Sequence, residues 1–228
     1  GAPMAGGPTT PELVAAVSNA GGLGTLAAGY LTAEQLEPLL VEVGELTDRP
    51  FGVNLFLPGT DVGEQLSDEI AEYRTRLQID ADTLGTEVGN PRFFDEDIDA
   101  KLAVLARYRP AFVSTTFADP GRELVDRIRA EVSAQVFVTV TSPGEAAAAV
   151  ASGADALIAQ GVEAGGHRGI WHDVPDHPHG GPGMSTAGLV RKITKATEVP
   201  VIAAGGFYDG RGLLSALARA GAPSPAIR

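Results

Sequence analysis

The sequence contains no cysteine in its 228 residues, which excludes disulfides, thiolate chemistry and cysteine-ligated metals. It also lacks any apolar run near the ~20 residues needed to cross a bilayer, and no signal peptide precedes its first motif. We therefore expect a cytoplasmic protein without membrane contact. Basic residues are few: 17 Lys and Arg stand against 29 Asp and Glu, for a net charge of −12. This charge argues against a nucleic-acid partner, because no basic cluster is present to neutralise phosphates.

The residues that are present suit one buried core, since 44% of them are hydrophobic. Three helices begin with recognisable capping residues. The first follows Thr9-Thr10-Pro11-Glu12, with Leu13, Ala16, Val17 and Ala20 as its apolar stripe. The second starts at Thr32 with Gln35 completing a capping box, and the third starts at Ser142 and ends near Gly153.

Short apolar runs alternate with these helical patterns, which is typical of a parallel sheet covered on both faces. The first four residues read like the tail of a further strand, so we expect a few N-terminal residues to be missing. A barrel and an open doubly wound sheet both fit the pattern, and a count of seven strands favours the barrel. The predicted strands are 2–4, 24–27, 51–56, 111–115, 136–140, 156–159 and 199–204.

The segment 160–169 is the densest in residues that could carry chemistry. It follows a predicted strand directly, and ligands bind at strand carboxyl ends in parallel α/β folds. Its glycines allow close approach of backbone to ligand, and His167 could act as a base near neutral pH. The alternative is a flexible glycine-rich loop with a surface histidine.

A second glycine pair, Gly205-Gly206, follows the next strand and precedes a helix beginning near Gly210. Backbone amides in such a turn could bind a phosphate. The alternative is a tight turn that needs glycine for its backbone angles alone. Since both glycine-rich turns follow consecutive strands, together they favour a phosphorylated cofactor.

Two amide side chains stand at strand ends. Asn54 interrupts the apolar run 51–56, and Gln160 occupies the last position before its loop. A buried amide must be hydrogen-bonded, so each could be satisfied within the core or directed at a ligand; we favour the ligand for Asn54.

The histidines of the stretch 172–179 resemble a metal cluster at first sight. Their spacing matches no helical pair and no cysteine supports them, so we expect a solvated loop that could cover the pocket, and no metal site.

Taken together, these motifs resemble those of the nitronate monooxygenases, once called 2-nitropropane dioxygenases, over nearly the whole chain. The resemblance rests on Ala2–Gly7 with Thr9–Leu13, on Ser18–Gly24, on Val53-Asn54-Leu55-Phe56 and on Ala203–Gly206. Its most specific element is Glu163-Ala164-Gly165-Gly166-His167-Arg168-Gly169.

The resemblance implies an FMN-dependent TIM (β/α)8 barrel, a single domain over residues 1–228, that oxidises alkyl nitronates with O₂ to a carbonyl compound and nitrite. It implies that His167 is the catalytic base. A homodimer is a possible assembly. The positions that match the family's FMN contacts are Met4, Asn54, Gln160, Gly165, Gly166, Gly205 and Gly206.

One departure concerns the eighth strand. After Ala222 the family continues into that strand and a Gly-Thr turn that binds the FMN phosphate, whereas here Pro223-Ser224-Pro225 follows at once. We therefore expect a missing stretch near 222–223 and an incomplete C-terminus, at a cost in FMN affinity.

Two other functions remain open. A flavin-dependent enoyl-acyl-carrier-protein reductase shares a similar Gly-Gly-His loop and would consume NAD(P)H. A non-catalytic homologue would keep the scaffold without the phosphate site.

Overall fold

A computed structural model describes residues 1–172 and 183–219. Contacts divide the chain into two units. The first comprises Gly1–Leu57 and the described residues from Glu96 onward, and the second comprises Pro58–Asp95.

The first unit contains a parallel sheet of six strands, hydrogen-bonded in the order in which they follow along the chain. No reversal of strand order occurs among the described residues, so the sheet is not doubly wound; it curls as part of a barrel, as the strand count favoured. The strands are β1 (Gly24–Ala27), β2 (Phe51–Phe56), β3 (Phe112–Thr116), β4 (Gln135–Val140), β5 (Ala156–Gln160) and β6 (Val201–Ala204).

Helices follow the strands along the chain, and helices of the first unit pack against the outer face of the sheet. A π-helical turn, Ile128–Val132, continues the fifth helix. The helices are α1 (Pro11–Asn19), α2 (Ala33–Leu46), α3 (Ser67–Leu84), α4 (Ile98–Tyr108), α5 (Gly121–Arg127), α6 (Pro143–Ser152), α7 (Thr186–Ile193) and α8 (Gly210–Arg219).

The predicted helix starts are confirmed. Thr32 and Gln35 form a reciprocal capping box at α2, and Ser142 accepts from the amide of Glu145 at α6. At α1 the cap is Thr10, which accepts from the amide of Leu13.

The predicted apolar stripe of α1 was wrong. Leu13 is 40% exposed, whereas Val14, Ala15 and Ser18 are buried. The buried face includes Ser18 because its hydroxyl satisfies the carbonyl of Pro50 and the amide of Gly24, a role that a stripe of apolar residues does not reveal.

The expected strand at 2–4 is also wrong. The amide of Met4 donates to Oγ1 of Thr9 at 2.8 Å, and the amide of Thr9 donates to the Met4 carbonyl at 3.4 Å. The hydrogen bonds of this turn use the backbone amide and carbonyl of Met4, which in a strand would bond to a neighbouring strand. The described residues thus contain six strands rather than seven.

The two faces of the sheet differ. Outward positions such as Val53, Val113 and Val138 join the helices in the main core. Inward positions form a separate cluster, in which the rings of Phe112 and Phe137 stack at 4.4 Å beside Ala156. The interior of the curl is therefore filled by side chains at the amino ends of the strands.

The β6 edge has an apolar surface that the described residues leave uncovered. Ile202 is 38% exposed, and Leu213, Leu214 and Leu217 of α8 are exposed by 60% or more. The expected junction near 222–223 lies outside the described residues.

The second unit contains α3, Ser67–Leu84, which ends at Gly85 in a left-handed conformation. Arg74 donates to Asn90 across this unit. No helix in the described part of the chain is both long and apolar enough to span a membrane.

Replacing Gly52 with alanine tests the filled interior. An added Cβ would lie 2.2 Å from the ring of Phe112, which is buried against Phe137, so we expect a loss of about 1–3 kcal/mol in the free energy of unfolding. Gly44→Ala in α2 is the control: nothing lies within 4 Å of its added Cβ, and we expect a gain of about 0.5–1 kcal/mol. Equal stability of both variants, measured by denaturant titration, would contradict this packing.

Candidate active site

The inner face of the sheet becomes polar towards the carboxyl ends of the strands. Asn54, Thr116 and Thr139, on β2, β3 and β4, form a hydrogen-bonded row that we call the polar floor. The Asn54 amide nitrogen lies 3.1 Å from Oγ1 of Thr116, which lies 3.1 Å from Oγ1 of Thr139. A polar floor at this end of a parallel barrel is a typical place for a ligand.

Asn54 is only 3% exposed. Its amide nitrogen also donates to Oγ of Ser114 at 3.0 Å and lies 3.3 Å from the Ser114 carbonyl. The sheet thus satisfies the nitrogen, while the side-chain oxygen receives no hydrogen bond from the described residues. Asn54 can therefore offer a ligand its acceptor oxygen in a fixed orientation.

Gln160 joins the end of β5 to the loop that follows it. Its amide nitrogen donates to the carbonyl of His167 at 3.1 Å, and its oxygen accepts from the amide of Gly169 at 2.6 Å. Both ends of this side chain are therefore used to hold the backbone of the loop that carries His167.

Gly169 lies directly on the polar floor. An added Cβ would be 2.8 Å from the Thr116 methyl group and 3.1 Å from that of Thr139. Two residues later, the Trp171 indole donates to the carbonyl of Thr139 at 3.1 Å. Only glycine lets the loop pass this close to the floor.

The His167 side chain itself is exposed. Its backbone is fixed through Gln160, and its imidazole makes no hydrogen bond to the described residues. An imidazole that is open to solvent, on a loop that is held at the carboxyl end of the sheet, can take a proton from a ligand bound there.

The two glycine-rich turns meet at this edge, as the sequence predicted. Gly166, Gly205 and Gly206 have positive φ angles of 75°, 111° and 80°. An added Cβ on Gly205 would lie 2.6 Å from the amide nitrogen of Ala164, so the turns pack against each other.

These turns also leave donors free. The backbone amides of Gly165, Gly166, Gly205 and Gly206 donate to no acceptor within residues 1–172 and 183–219. Adjacent free amides in turns of this kind, where Gly166, Gly205 and Gly206 have positive φ, form an anion-binding concavity, so the residues present fit the phosphate of a nucleotide cofactor.

Glu163 and Thr186 fasten the two turns together. Oε2 of Glu163 accepts from the Thr186 amide at 2.8 Å and from its hydroxyl at 3.0 Å, and that hydroxyl lies 3.1 Å from the Gly205 carbonyl. Desolvation raises the pKa of Glu163, but the hydrogen bonds from Thr186 and from its own amide outweigh it and lower the pKa. Sequence reasoning missed this pair; the available signal was Ser185-Thr186 before the apolar positions of α7.

Met4, the remaining predicted cofactor residue, is 45% exposed. Its backbone is held by Thr9, and no hydrogen bond joins it to the other predicted site residues. Of the histidine-rich stretch, only His172 is described; residues 173–179, and with them the predicted cover of the pocket, lie outside the described residues.

Comparison with known proteins identifies similar chains. The sequence profile of the nitronate monooxygenase family matches residues 1–227. A protein from Pseudomonas aeruginosa named nitronate monooxygenase is 41% identical over 225 residues, which are 95% of this chain and 60% of that protein.

Two solved structures are also similar to this chain. The structure of nitroalkane oxidase from Streptomyces ansochromogenes has a TM-score of 0.87 and 42% identity, covering 96% of this chain and 61% of that one. FabK from Thermotoga maritima is less similar, with a TM-score of 0.66 and 29% identity over 96% of this chain and 54% of that one. The chain spans about three fifths of the length of the curated relatives it matches.

The charge on Glu163 should make stability depend on pH. Because its pKa is lowered on folding, the carboxylate contributes stability above its ordinary value of 4.5 and loses it as the pH falls through the lower folded value. We expect Glu163→Gln to lose about 1 kcal/mol or less at pH 7, since the side chain is largely exposed, and the loss to shrink as the pH falls below 4.5.

Denaturant titrations of the wild type and Glu163→Gln between pH 3 and 7 would measure the difference. The exposed Glu87→Gln serves as the control and should follow the wild type throughout. A loss of unfolding free energy in Glu163→Gln that persists unchanged at pH 3 would contradict a stabilising role for the charged Glu163 carboxylate.

Proposed function

The chain belongs to the nitronate monooxygenase family, and on this basis we propose that it oxidises alkyl nitronates with O₂, giving a carbonyl compound and nitrite. Nitronate monooxygenases are flavin-dependent oxidoreductases, and FMN is the cofactor we propose. The observation that supports the proposal most directly is the convergence of a fixed, solvent-accessible His167, a polar floor and two glycine turns on one edge of the sheet.

The residues present divide the work of binding. The free amides of Gly165, Gly166, Gly205 and Gly206 would hold the FMN phosphate, and the acceptor oxygen of Asn54 would meet a hydrogen-bond donor of the cofactor or substrate. The proposed contacts of Met4 and Gln160 with the cofactor rest on the family resemblance alone. FMN, when bound, supplies a two-electron acceptor beside the substrate carbon.

The protein contributes orientation and one proton transfer. A nitronate is already an electron-rich carbanion equivalent, so its oxidation needs no strong base. A neutral nitroalkane must first lose its α-proton, and Nδ1 or Nε2 of His167 would take it. Gln160 acts through His167, because it fixes the loop backbone that carries the imidazole.

The activity can be tested directly. The protein reconstituted with FMN should be yellow and should consume O₂ when given ethyl nitronate, without NAD(P)H. Oxidation of NAD(P)H by an enoyl thioester would instead support the reductase. Failure to bind any flavin after reconstitution would support a non-catalytic homologue and contradict the proposal.

Replacing His167 separates proton transfer from oxidation. We expect His167→Asn to lower kcat/KM for neutral nitroethane by about 10²–10⁴-fold, because general-base catalysis is lost, while the rate with preformed ethyl nitronate stays within a few-fold. Both rates are measured by O₂ consumption, with FMN content checked by absorbance.

The neighbouring exposed histidine provides the matched control, since His172→Asn should leave both rates unchanged. Equal losses on nitroethane and on its nitronate would show that His167 is not the base.

A further inference from the structure

Three aromatic rings stand at the carboxyl ends of β1, β2 and β3. Phe56 packs edge-on against Tyr30 with ring centroids 5.2 Å apart and against Phe117 at 4.7 Å. The Tyr30 side chain is exposed, at 58%, and Phe56 and Phe117 are half-buried. We call these three residues the aromatic wall. It presents apolar surface to solvent on the face of the sheet where a ligand would bind.

Two of the rings are held in place by strained backbone. Tyr30 has φ of 67° and Phe117 has φ of 83°, in the left-handed region that bulky residues rarely occupy. Such conformations persist only where the surroundings impose them, and they concentrate at ligand-binding sites. Packing of the ring does not account for the conformation of Tyr30, because that ring remains mostly exposed.

The surroundings that impose this conformation are buried. The amide of Tyr30 donates to Oε2 of Glu96 at 3.2 Å, and the same oxygen lies 3.1 Å from Nζ of the fully buried Lys101. The backbone of Gly29 lies under Phe56, since an added Cβ would be 2.3 Å from its ring. The wall is thus a fixed surface.

The wall borders the polar floor. Phe56 and Asn54 are two residues apart on β2, so they lie on the same face of the strand. Phe117 follows Thr116, whose hydroxyl lies 3.1 Å from the Asn54 amide nitrogen. The glycine turns and the His167 loop follow β5 and β6, two or more strands away, at about 4.8 Å per strand.

We propose that the aromatic wall binds the alkyl substituent of the substrate and sets the chain length that the enzyme prefers; this inference rests on the proposed function. An alkyl nitronate has an anionic head and an apolar tail. The polar floor and His167 suit the head, and the wall, which lies beyond them and offers ring faces and edges, suits methylene groups.

The expected effect is a chain-length dependence. Burying one methylene group fully raises affinity by about fourfold, so a wall open on one side should add about twofold per methylene in kcat/KM. From ethyl to hexyl nitronate, four methylenes, the gain should be about tenfold or more.

The experiment compares ethyl, butyl and hexyl nitronates with the FMN-loaded protein and with two variants, Tyr30→Ala and Phe117→Ala. We expect each variant to keep kcat/KM for ethyl nitronate within about twofold and to lose most of the gain for hexyl nitronate. Tyr30→Phe should retain that gain, and Tyr73→Ala, an exposed tyrosine of α3, should behave as the wild type.

A parallel loss on all three substrates, or a weaker FMN affinity with unchanged chain-length dependence, would overturn the proposal and assign the wall to the cofactor. A wild-type kcat/KM that does not rise with chain length would also overturn it.

Calorimetric binding of butanoate and hexanoate, used as unreactive anionic analogues, distinguishes failure of this inference from failure of the proposed function. The protein could fail to oxidise nitronates and still bind hexanoate more tightly than butanoate. If Tyr30→Ala then abolishes the difference in affinity, the aromatic wall binds alkyl chains and only the proposed nitronate activity is wrong. Equal affinity of the wild type for butanoate and hexanoate would contradict the inference that the aromatic wall binds alkyl chains.

Discussion

The side-chain amide of Gln160 bridges the last position of β5 and the backbone of the following loop, and the geometry of the site depends on it. One end holds the carbonyl of His167 and the other the amide of Gly169. These two bonds set the backbone position of His167, from which its exposed imidazole extends. They work only because Gly169 can lie on the methyl groups of Thr116 and Thr139.

Much of the first unit could be predicted from local pattern. The bounds of β1 and β2 and the capping box of Thr32 and Gln35 came from short-range signals that the fold preserves. The errors came from long-range partners. Ser18 is buried because it bonds across the chain to Pro50, and Met4 forms a turn with Thr9 where an apolar run suggested a strand.

The residues of the candidate site divide in the same way, into those visible from local pattern and those that depend on long-range contacts. Sequence placed His167 and both glycine turns at strand ends, because glycine and histidine in a loop after an apolar run are visible locally. It also singled out Asn54, but not the bonds to β3 that orient it, since these depend on strand register. The hydrogen bonds between Glu163 and Thr186 join residues 23 positions apart, so neither segment alone could predict them.

We propose that the glycine turns and the loop held by Gln160 form one FMN site. Amide hydrogen exchange with and without FMN tests it most directly. We expect slower exchange on binding at Gly165, Gly166, Gly205 and Gly206, with the amides of α2 unchanged as an internal reference. Unchanged exchange at all four glycines in protein shown by absorbance to carry FMN would contradict it.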